Sequence, residues 1–242
     1  RDLHPRVRRE RQMCIRDRDK KGNLWICAER GGIYQFNNQS RELVPFSIKG
    51  ENYNAQTLYL DNTNNTLWVG TLLEGLKELN LNTKSIRTYK DKTLIDDNIR
   101  EIIPYKDKLI LATHSGVGVF DKSKGSCEYL SSSNEYRLNE KSITNLMLDR
   151  KERLWISTSN ELFRYNLLKK QMEQIHLCTG SNYSVNKIYE SSNGNIWIGT
   201  ARHGLYLNPK GENGFTHIDK KKGLNSNFIL DITENSKGDI LV

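Results

Sequence analysis

"NGNIWIGTARHGLYLN", residues 193–208, contains a Gly-Asn turn, a strand-forming run around its Trp, a Thr, a second Gly and another apolar run. Stretches of the same form recur along the chain, and self-similarity at a fixed period is the signature of a repeat fold. The anchor positions of the copies are Trp25, Trp68, Ile110, Trp155, Trp197 and Leu241. Successive anchors are 43, 42, 45, 42 and 44 residues apart, and all four tryptophans of the chain occupy this position.

One copy, residues 142–179, shows how a repeat is expected to fold. Its runs "SITNLMLD", "LWISTS", "ELFRYN" and "QMEQIHL" are separated by polar turns and have the composition or alternation of strands. A four-stranded sheet of this size cannot bury both faces alone, so we expect successive sheets to stack face to face around an axis. A helix over "NLLKKQMEQIHL", residues 166–177, is the alternative, because Leu168, Met172 and Ile175 have near-helical spacing.

The fold class predicted from this pattern is all-β. We expect a β-propeller that forms a partial ring, with about five four-stranded blades and the start of a sixth, over residues 19–242. Counted from Asp19, the first blade is expected to lack its inner strand. Propellers usually close with about 4 to 8 blades, so we interpret the chain as a fragment of a longer ring.

Several recurring residues have expected structural roles. Each Trp should fill the gap between neighbouring sheets. An acidic residue six or seven positions before the anchor should accept backbone N–H bonds in the first turn, and a Thr three positions after it should bond the next turn. The acids are Asp19, Asp61, Asp149, Glu190 and Glu234, and the threonines are Thr71, Thr113, Thr158 and Thr200.

The net charge of +8 is distributed unevenly. Residues 1–18 hold seven Arg against three acids and contribute +4, whereas the other 224 residues carry a scattered +4. We favour a non-native leader joined to a truncated reading frame, because Arg16 stands where later copies have an apolar residue. A disordered basic arm and a nucleic-acid or anionic-surface tail are the alternatives; we expect no nucleic-acid partner for the remainder.

No catalytic or metal constellation is present in the sequence. "DRDKKG", residues 17–22, begins like a calcium loop, but Lys21 occupies a ligand position. The five histidines and four cysteines have no metal-type spacing. We therefore predict no enzyme activity, no metal site and no cofactor, and we predict no membrane span within this chain, since no apolar run approaches about 18 residues.

Candidate ligand-binding residues lie in the turns between second and third strands and in the connections between blades, which share one face in propellers. Aromatic faces stack on sugars while Arg, acidic and amide groups bond their hydroxyls, although ordinary solvated loops have the same composition. The candidates are Arg30, Glu74, His114, Arg202, His203, Tyr53, Tyr136 and Tyr183. Arg202 and His203 are preferred because they are adjacent in the best-formed copy.

The repeated form acidic-x-x-Gly-x-apolar-Trp-Ile/Val-Gly-Thr-x-x-x-Gly-Leu-Tyr resembles the two-component regulator propeller repeat. "GLNSNFILDITENSKGDILV", residues 223–242, matches its Gly-Leu-x-x-Asn loop. The third copy departs from the pattern, with Ile110 replacing Trp, and we expect a looser blade there.

The resemblance implies the extracytoplasmic, periplasmic part of an inner-membrane hybrid two-component regulator. It implies an oligosaccharide or other small-molecule ligand, the rest of the propeller array and a homodimer as partners, and signalling to a histidine kinase outside this chain. A propeller-fold lyase or hydrolase acting on glycans, and a protein-interaction scaffold, are the alternative functions.

Overall fold

The computed structural model describes residues 13–28, 32–48, 50, 53–131, 133–177 and 183–242. Strands dominate these ranges, and the helices within them are short 3-10 turns at Asp91–Thr93, Ser133–Tyr136, Leu138–Glu140 and Lys220–Lys222. The prediction of an all-β chain is confirmed. The helical alternative for residues 166–177 is wrong, because Gln171–Ile175 is a strand paired with its neighbour in an antiparallel ladder.

The chain divides into two compact units. The first comprises the described residues up to Lys90 together with Asp97–Ile99. It holds two antiparallel sheets whose strands follow one another in chain order. The first sheet consists of β1 (Met13–Arg18), β2 (Leu24–Ala28), β3 (Gly32–Phe36) and β4 (Leu43–Phe46). The second sheet consists of β5 (Ala55–Asp61), β6 (Thr66–Thr71), β7 (Leu76–Asn80) and β8 (Ser85–Tyr89).

The first sheet is complete, so the expectation that it lacks an inner strand is wrong. β1 pairs with β2, and the ladder is interrupted between Ile15 and Asp17. The extra residue at this bulge is Arg16. A bulge shifts the register by one residue, which explains why Arg16 stands where the other copies have an apolar residue. Residues 13–18 of the predicted leader therefore form a strand, while residues 1–12 lie outside the described ranges, and the non-native origin of residues 1–18 stays a prediction.

The second unit comprises Asp91–Asp96 and Arg100–Val242. Its first sheet, the third of the chain, consists of β9 (Ile99–Tyr105), β10 (Lys108–Thr113), β11 (Gly116–Asp121) and β12 (Ser126–Tyr129). The fourth sheet consists of β13 (Asn145–Leu148), β14 (Arg153–Ser157), β15 (Leu162–Asn166) and β16 (Gln171–Ile175).

The fifth sheet consists of β17 (Val185–Glu190), β18 (Ile196–Thr200), β19 (Leu205–Asn208) and β20 (Thr216–Ile218), and β21 (Thr233–Glu234) pairs with β22 (Ile240–Leu241). Five four-stranded sheets followed by a two-stranded start are the blade count expected from the anchors.

The anchor tryptophans fill the space between consecutive sheets, as predicted. Trp155 of the fourth sheet is completely buried and packs in one cluster with Ile196, Ile198 and Tyr206 of the fifth. Its ring meets Phe215 edge to face, with centroids 6.5 Å apart. Such an edge-to-face aromatic pair adds stability beyond the area that it buries, so this residue fixes how the two sheets stack.

The acidic residues before the anchors do not all accept hydrogen bonds from their own turns. Asp149 accepts hydrogen bonds from the backbone N–H groups of Lys151 and Arg153, both at 2.9 Å. Glu190, which was expected to do the same, instead accepts from the backbone N–H of Arg150 in the preceding sheet at 2.9 Å. The longer Glu side chain reaches across to a neighbouring sheet, whereas Asp is short enough to cap its own turn.

Candidate functional site

The turn between β18 and β19 lies beside two connecting segments, as the sequence predicts for this edge of a blade. The backbone N–H of Ala201 donates to Ser184 O at 2.9 Å, in the segment before the fifth sheet. The backbone N–H of Gly204 donates to Asn227 O at 2.8 Å, in the segment after it. These bonds place the preferred candidates, Arg202 and His203, between the two connections.

A hydroxyl and a glycine hold this turn in one conformation. Thr200 Oγ1 donates to Gly204 O at 2.8 Å and accepts from the backbone N–H of His203 at 2.9 Å. Gly204 has φ +76°, and a Cβ there would lie 2.4 Å from Ile218 O, so only glycine fits. The expected role of the Thr is confirmed, and Arg202 projects from this fixed turn into solvent.

Two histidines meet directly beneath the turn. His217 Nε2 lies 2.5 Å from His203 O, and because a carbonyl oxygen only accepts, Nε2 carries the proton in this contact. The His217 ring stacks on Tyr206, with centroids 4.6 Å apart and an interplanar angle of 19°. His203 Nδ1 is shielded from solvent and has no hydrogen-bond partner among the described residues.

Three lysines lie close to the turn. The helix Lys220–Lys222 follows β20 directly, and its three lysines are exposed. Asp219 caps this helix by accepting from the Lys221 backbone N–H at 3.0 Å, and Lys222 Nζ donates to His217 O at 2.6 Å. Together with Arg202, these lysines make a cationic surface that can donate many hydrogen bonds.

The three candidate tyrosines have structural contacts. Tyr53 and Tyr183 are 1% and 4% exposed, so neither ring offers a face to a ligand. The Tyr53 hydroxyl accepts from the Ile48 backbone N–H at 3.0 Å, and the Tyr183 hydroxyl donates to Ile175 O. Tyr136 is half-buried and its ring packs on the fourth sheet. We therefore assign these rings to the packing between strands rather than to the candidate site.

The other candidates belong to other parts of the chain. Glu74 belongs to the first unit, where its Oε2 lies 3.2 Å from Lys77 Nζ. His114 is exposed in the β10–β11 turn of the third sheet. Arg30 lies outside the described residues. Of the predicted residues, Arg202 and His203 share one turn, and Lys222 is linked to this turn through His217.

Neither a metal cluster nor a membrane helix is found in the described part of the chain. No group of three or more His, Cys, Asp or Glu side chains in these ranges is arranged to hold a metal ion. Within the same ranges, no helix has the length and apolar character needed to cross a membrane.

One family model matches the strands that carry this turn. Residues 179–202 match the family model described as a two component regulator propeller. One repeat of this chain is similar to the two-component regulator propeller repeat. The match ends at Arg202, so this repeat includes β17, β18 and the beginning of the candidate turn. The resemblance noted in the sequence is confirmed, while no curated protein matches the chain.

Solved structures with this fold include extracellular domains of two-component systems and an enzyme. The extracellular domain of a putative hybrid two component system from B. thetaiotaomicron matches 90% of this chain at 17% identity, with a TM-score of 0.73. A second such domain from the same organism matches 97% at 21% identity, with a TM-score of 0.64. Virginiamycin B lyase from Staphylococcus aureus matches 95% at 12% identity, with a TM-score of 0.69.

These similarities confirm the β-propeller fold class. The matched part is 30% and 37% of the two extracellular domains and 75% of the lyase. The chain thus spans about a third of the length of the extracellular domains that it resembles. At these identities the likeness is one of fold.

Proposed function

We propose that this chain is part of the extracytoplasmic ligand-sensing propeller of a hybrid two-component regulator and that it binds an oligosaccharide. The observation that carries the proposal is the Arg202–His203 turn, a fixed and exposed polar surface on a propeller repeat. The similarity to extracellular domains of two-component systems supports the same class of protein. It also supports a periplasmic location for this part of an inner-membrane protein.

The chemistry of the turn suits sugar hydroxyls. The guanidinium of Arg202 offers five N–H donors in a fixed fork, and the exposed Lys220–Lys222 helix adds ammonium donors beside it. Because Thr200 and Gly204 already hold the turn, binding requires little ordering of the backbone, which lowers its entropic cost.

The sensing role is proposed to be non-catalytic. Ligand occupancy would change how two copies of the sensor are arranged and thereby signal to a histidine kinase outside this chain. A differential affinity of the ligand for the two arrangements is the thermodynamic requirement for such a signal.

Calorimetric titration of the purified chain against a panel of oligosaccharides tests the proposal. We expect saturable binding to at least one oligosaccharide, and at least about tenfold weaker binding after Arg202→Ala, since a charge-assisted hydrogen bond contributes about 1.5–3 kcal/mol. The matched control is Lys169→Ala, an exposed cation in the turn between β15 and β16, which should leave binding unchanged.

Two results would overturn the proposal. One is a panel without any saturable binding, and the other is equal loss of affinity in the Arg202→Ala and Lys169→Ala variants. The samples from these titrations also test whether the chain is an enzyme. Appearance of an unsaturated product or of new reducing ends, dependent on His203, would identify a propeller lyase or hydrolase instead of a sensor.

A further inference from the structure

A cavity of about 340 Å³ lies between the third and fourth sheets of the second unit. Its apolar floor is formed by Ile110, Val119 and Leu130 from the third sheet and its following connection, and by Leu167 after the fourth sheet's β15. Tyr165 forms part of the wall. A volume of this size lies within the range of about 300–1,000 Å³ that is typical of small-molecule sites.

The cavity lies at Ile110, the anchor position of the third repeat, where the repeats on either side have a tryptophan. Ile110 pairs with Val119 across the β10–β11 ladder, just as Trp155 pairs with Arg164 across the β14–β15 ladder. Ile110 is 1% exposed and packs in a cluster with residues of the fourth sheet. The third sheet therefore presents two smaller apolar side chains where the fourth presents an indole and a guanidinium.

The equivalent place between the fourth and fifth sheets is filled. The Trp155 ring is completely buried, with the guanidinium carbon of Arg153 at 5.7 Å and that of Arg164 at 5.3 Å from the ring. The cavity that remains there measures about 110 Å³ and is lined by the same two arginines. The difference between the two interfaces follows from the side chains at the anchor and its cross-strand partner.

We propose that the cavity beside Ile110 binds a planar aromatic molecule of about the size of indole. The repeat itself places an indole at the equivalent position of the next interface, so the gap between sheets suits a flat bicyclic ring. Preformed apolar cavities bind aromatic molecules of matching size, and tyrosine walls favour edge-to-face or offset-stacked rings. This site is separate from the Arg202 turn and does not depend on the function proposed for it.

The rim of the cavity selects the substituent on the ring. Four lysines and three acids contribute to the lining, so its formal charge is +1; the lysines are Lys106, Lys108, Lys124 and Lys170, and the acids are Asp107, Asp121 and Glu128. Lys108 Nζ lies 3.9 Å from Asp121 Oδ2, within ion-pair distance. Because one more lysine than acid lines the cavity, we expect an anionic substituent to bind better than a cationic one, and the ligand class is an aromatic carboxylate.

Ligand-observed NMR and calorimetry with indole, indole-3-acetate and tryptamine test this inference on the whole chain. We expect saturable binding of indole and indole-3-acetate in the micromolar to millimolar range, with tryptamine the weakest of the three. Failure of both indole and indole-3-acetate to saturate the wild-type chain would overturn the proposal, and stronger binding of tryptamine than of indole-3-acetate would overturn its anionic part.

Two substitutions localise the binding. Ile110→Trp restores the anchor indole and should reduce affinity for indole-3-acetate at least tenfold. Leu230→Trp is the matched control, because it adds an indole at a side chain that is 67% exposed and away from the cavity, and it should leave the affinity unchanged. Val119→Arg, which copies the fourth sheet, narrows the cavity independently and should also weaken binding. Wild-type affinity in both cavity variants would overturn the assignment.

Discussion

The indole Nε1 of Trp155 donates a hydrogen bond to Asp149 Oδ2 at 3.0 Å, across the turn between β13 and β14. The same carboxylate oxygen accepts from Arg153 Nε at 2.6 Å, and the Asp149 side chain is completely inaccessible to solvent. The turn acid and the anchor tryptophan, which recur as separate features of the sequence, are thus one hydrogen-bonded unit in this blade.

We expect Asp149→Ala to lower the free energy of unfolding by about 2–4 kcal/mol, because it leaves the buried Trp155 N–H and the Arg153 guanidinium without their acceptor. Urea unfolding followed by fluorescence measures the change. Asp149→Asn retains a carbonyl acceptor and should cost less, and Lys151→Ala, at an exposed neighbour, should be nearly neutral. A stability of Asp149→Ala within about 0.5 kcal/mol of wild type would contradict this role.

Replacement of Gly204 by Ala should be more damaging than the same change at Gly211. Both glycines have positive φ, +76° and +86°, but a Cβ at Gly204 would lie 2.4 Å from Ile218 O, whereas nothing lies within 4 Å of a Cβ at Gly211. The backbone penalty of about 1–2 kcal/mol is common to both, so the difference between the variants measures the steric clash. Equal unfolding free energies for the two variants would show that the turn adjusts.

The thiol of Cys127 should be unreactive in the folded chain. Burial raises its pKa from 9.0 to about 12, which lowers the thiolate fraction roughly a thousandfold at a slightly alkaline pH. We expect alkylation by iodoacetamide to be at least about a hundredfold slower in the folded than in the urea-unfolded chain, as read from the mass of the peptide that contains Cys127. Similar rates in the two states would mean that the sulfur is accessible and ionised.

Stability should depend on pH through Glu234. Hydrogen bonds from the Ser192 hydroxyl and backbone N–H hold the pKa of Glu234 below its ordinary value of 4.5. A carboxyl whose folded pKa is depressed contributes stability above its unfolded pKa and loses that contribution as the pH falls through the folded pKa. The wild-type melting temperature should therefore drop more steeply below about pH 4.5 than that of Glu234→Gln; parallel curves would refute the linkage.

The blade pattern could be predicted because its signals are local. Alternation of apolar residues with a period of two and a recurring Trp both reflect contacts within one sheet and its neighbour. The bulge at Arg16 could not be predicted, since one inserted backbone residue leaves no composition signal and misaligns every position counted across it.

The candidate site was predictable in part. The turn that carries Arg202 and His203 could be predicted, because Thr200 and Gly204 mark it. The burial of Tyr53 and Tyr183 could not be predicted, because a sequence does not show on which side of a connection a ring packs. Their regular placement was the available signal: Tyr53 and Tyr183 lie 15 and 14 residues before their anchors, a recurrence typical of packing positions.

In the second, third and fifth sheets, a threonine hydroxyl closes the turn that follows the second strand. Thr71 and Thr113 donate to Gly75 O and Gly116 O at 2.7 and 2.8 Å, as Thr200 does in the fifth sheet. The side chains of the residues between each of these threonines and its glycine take no part in the hydrogen bond that closes the turn. These residues can therefore be substituted without loss of the blade. One propeller scaffold can thus acquire a new ligand preference through substitutions in the exposed turns alone.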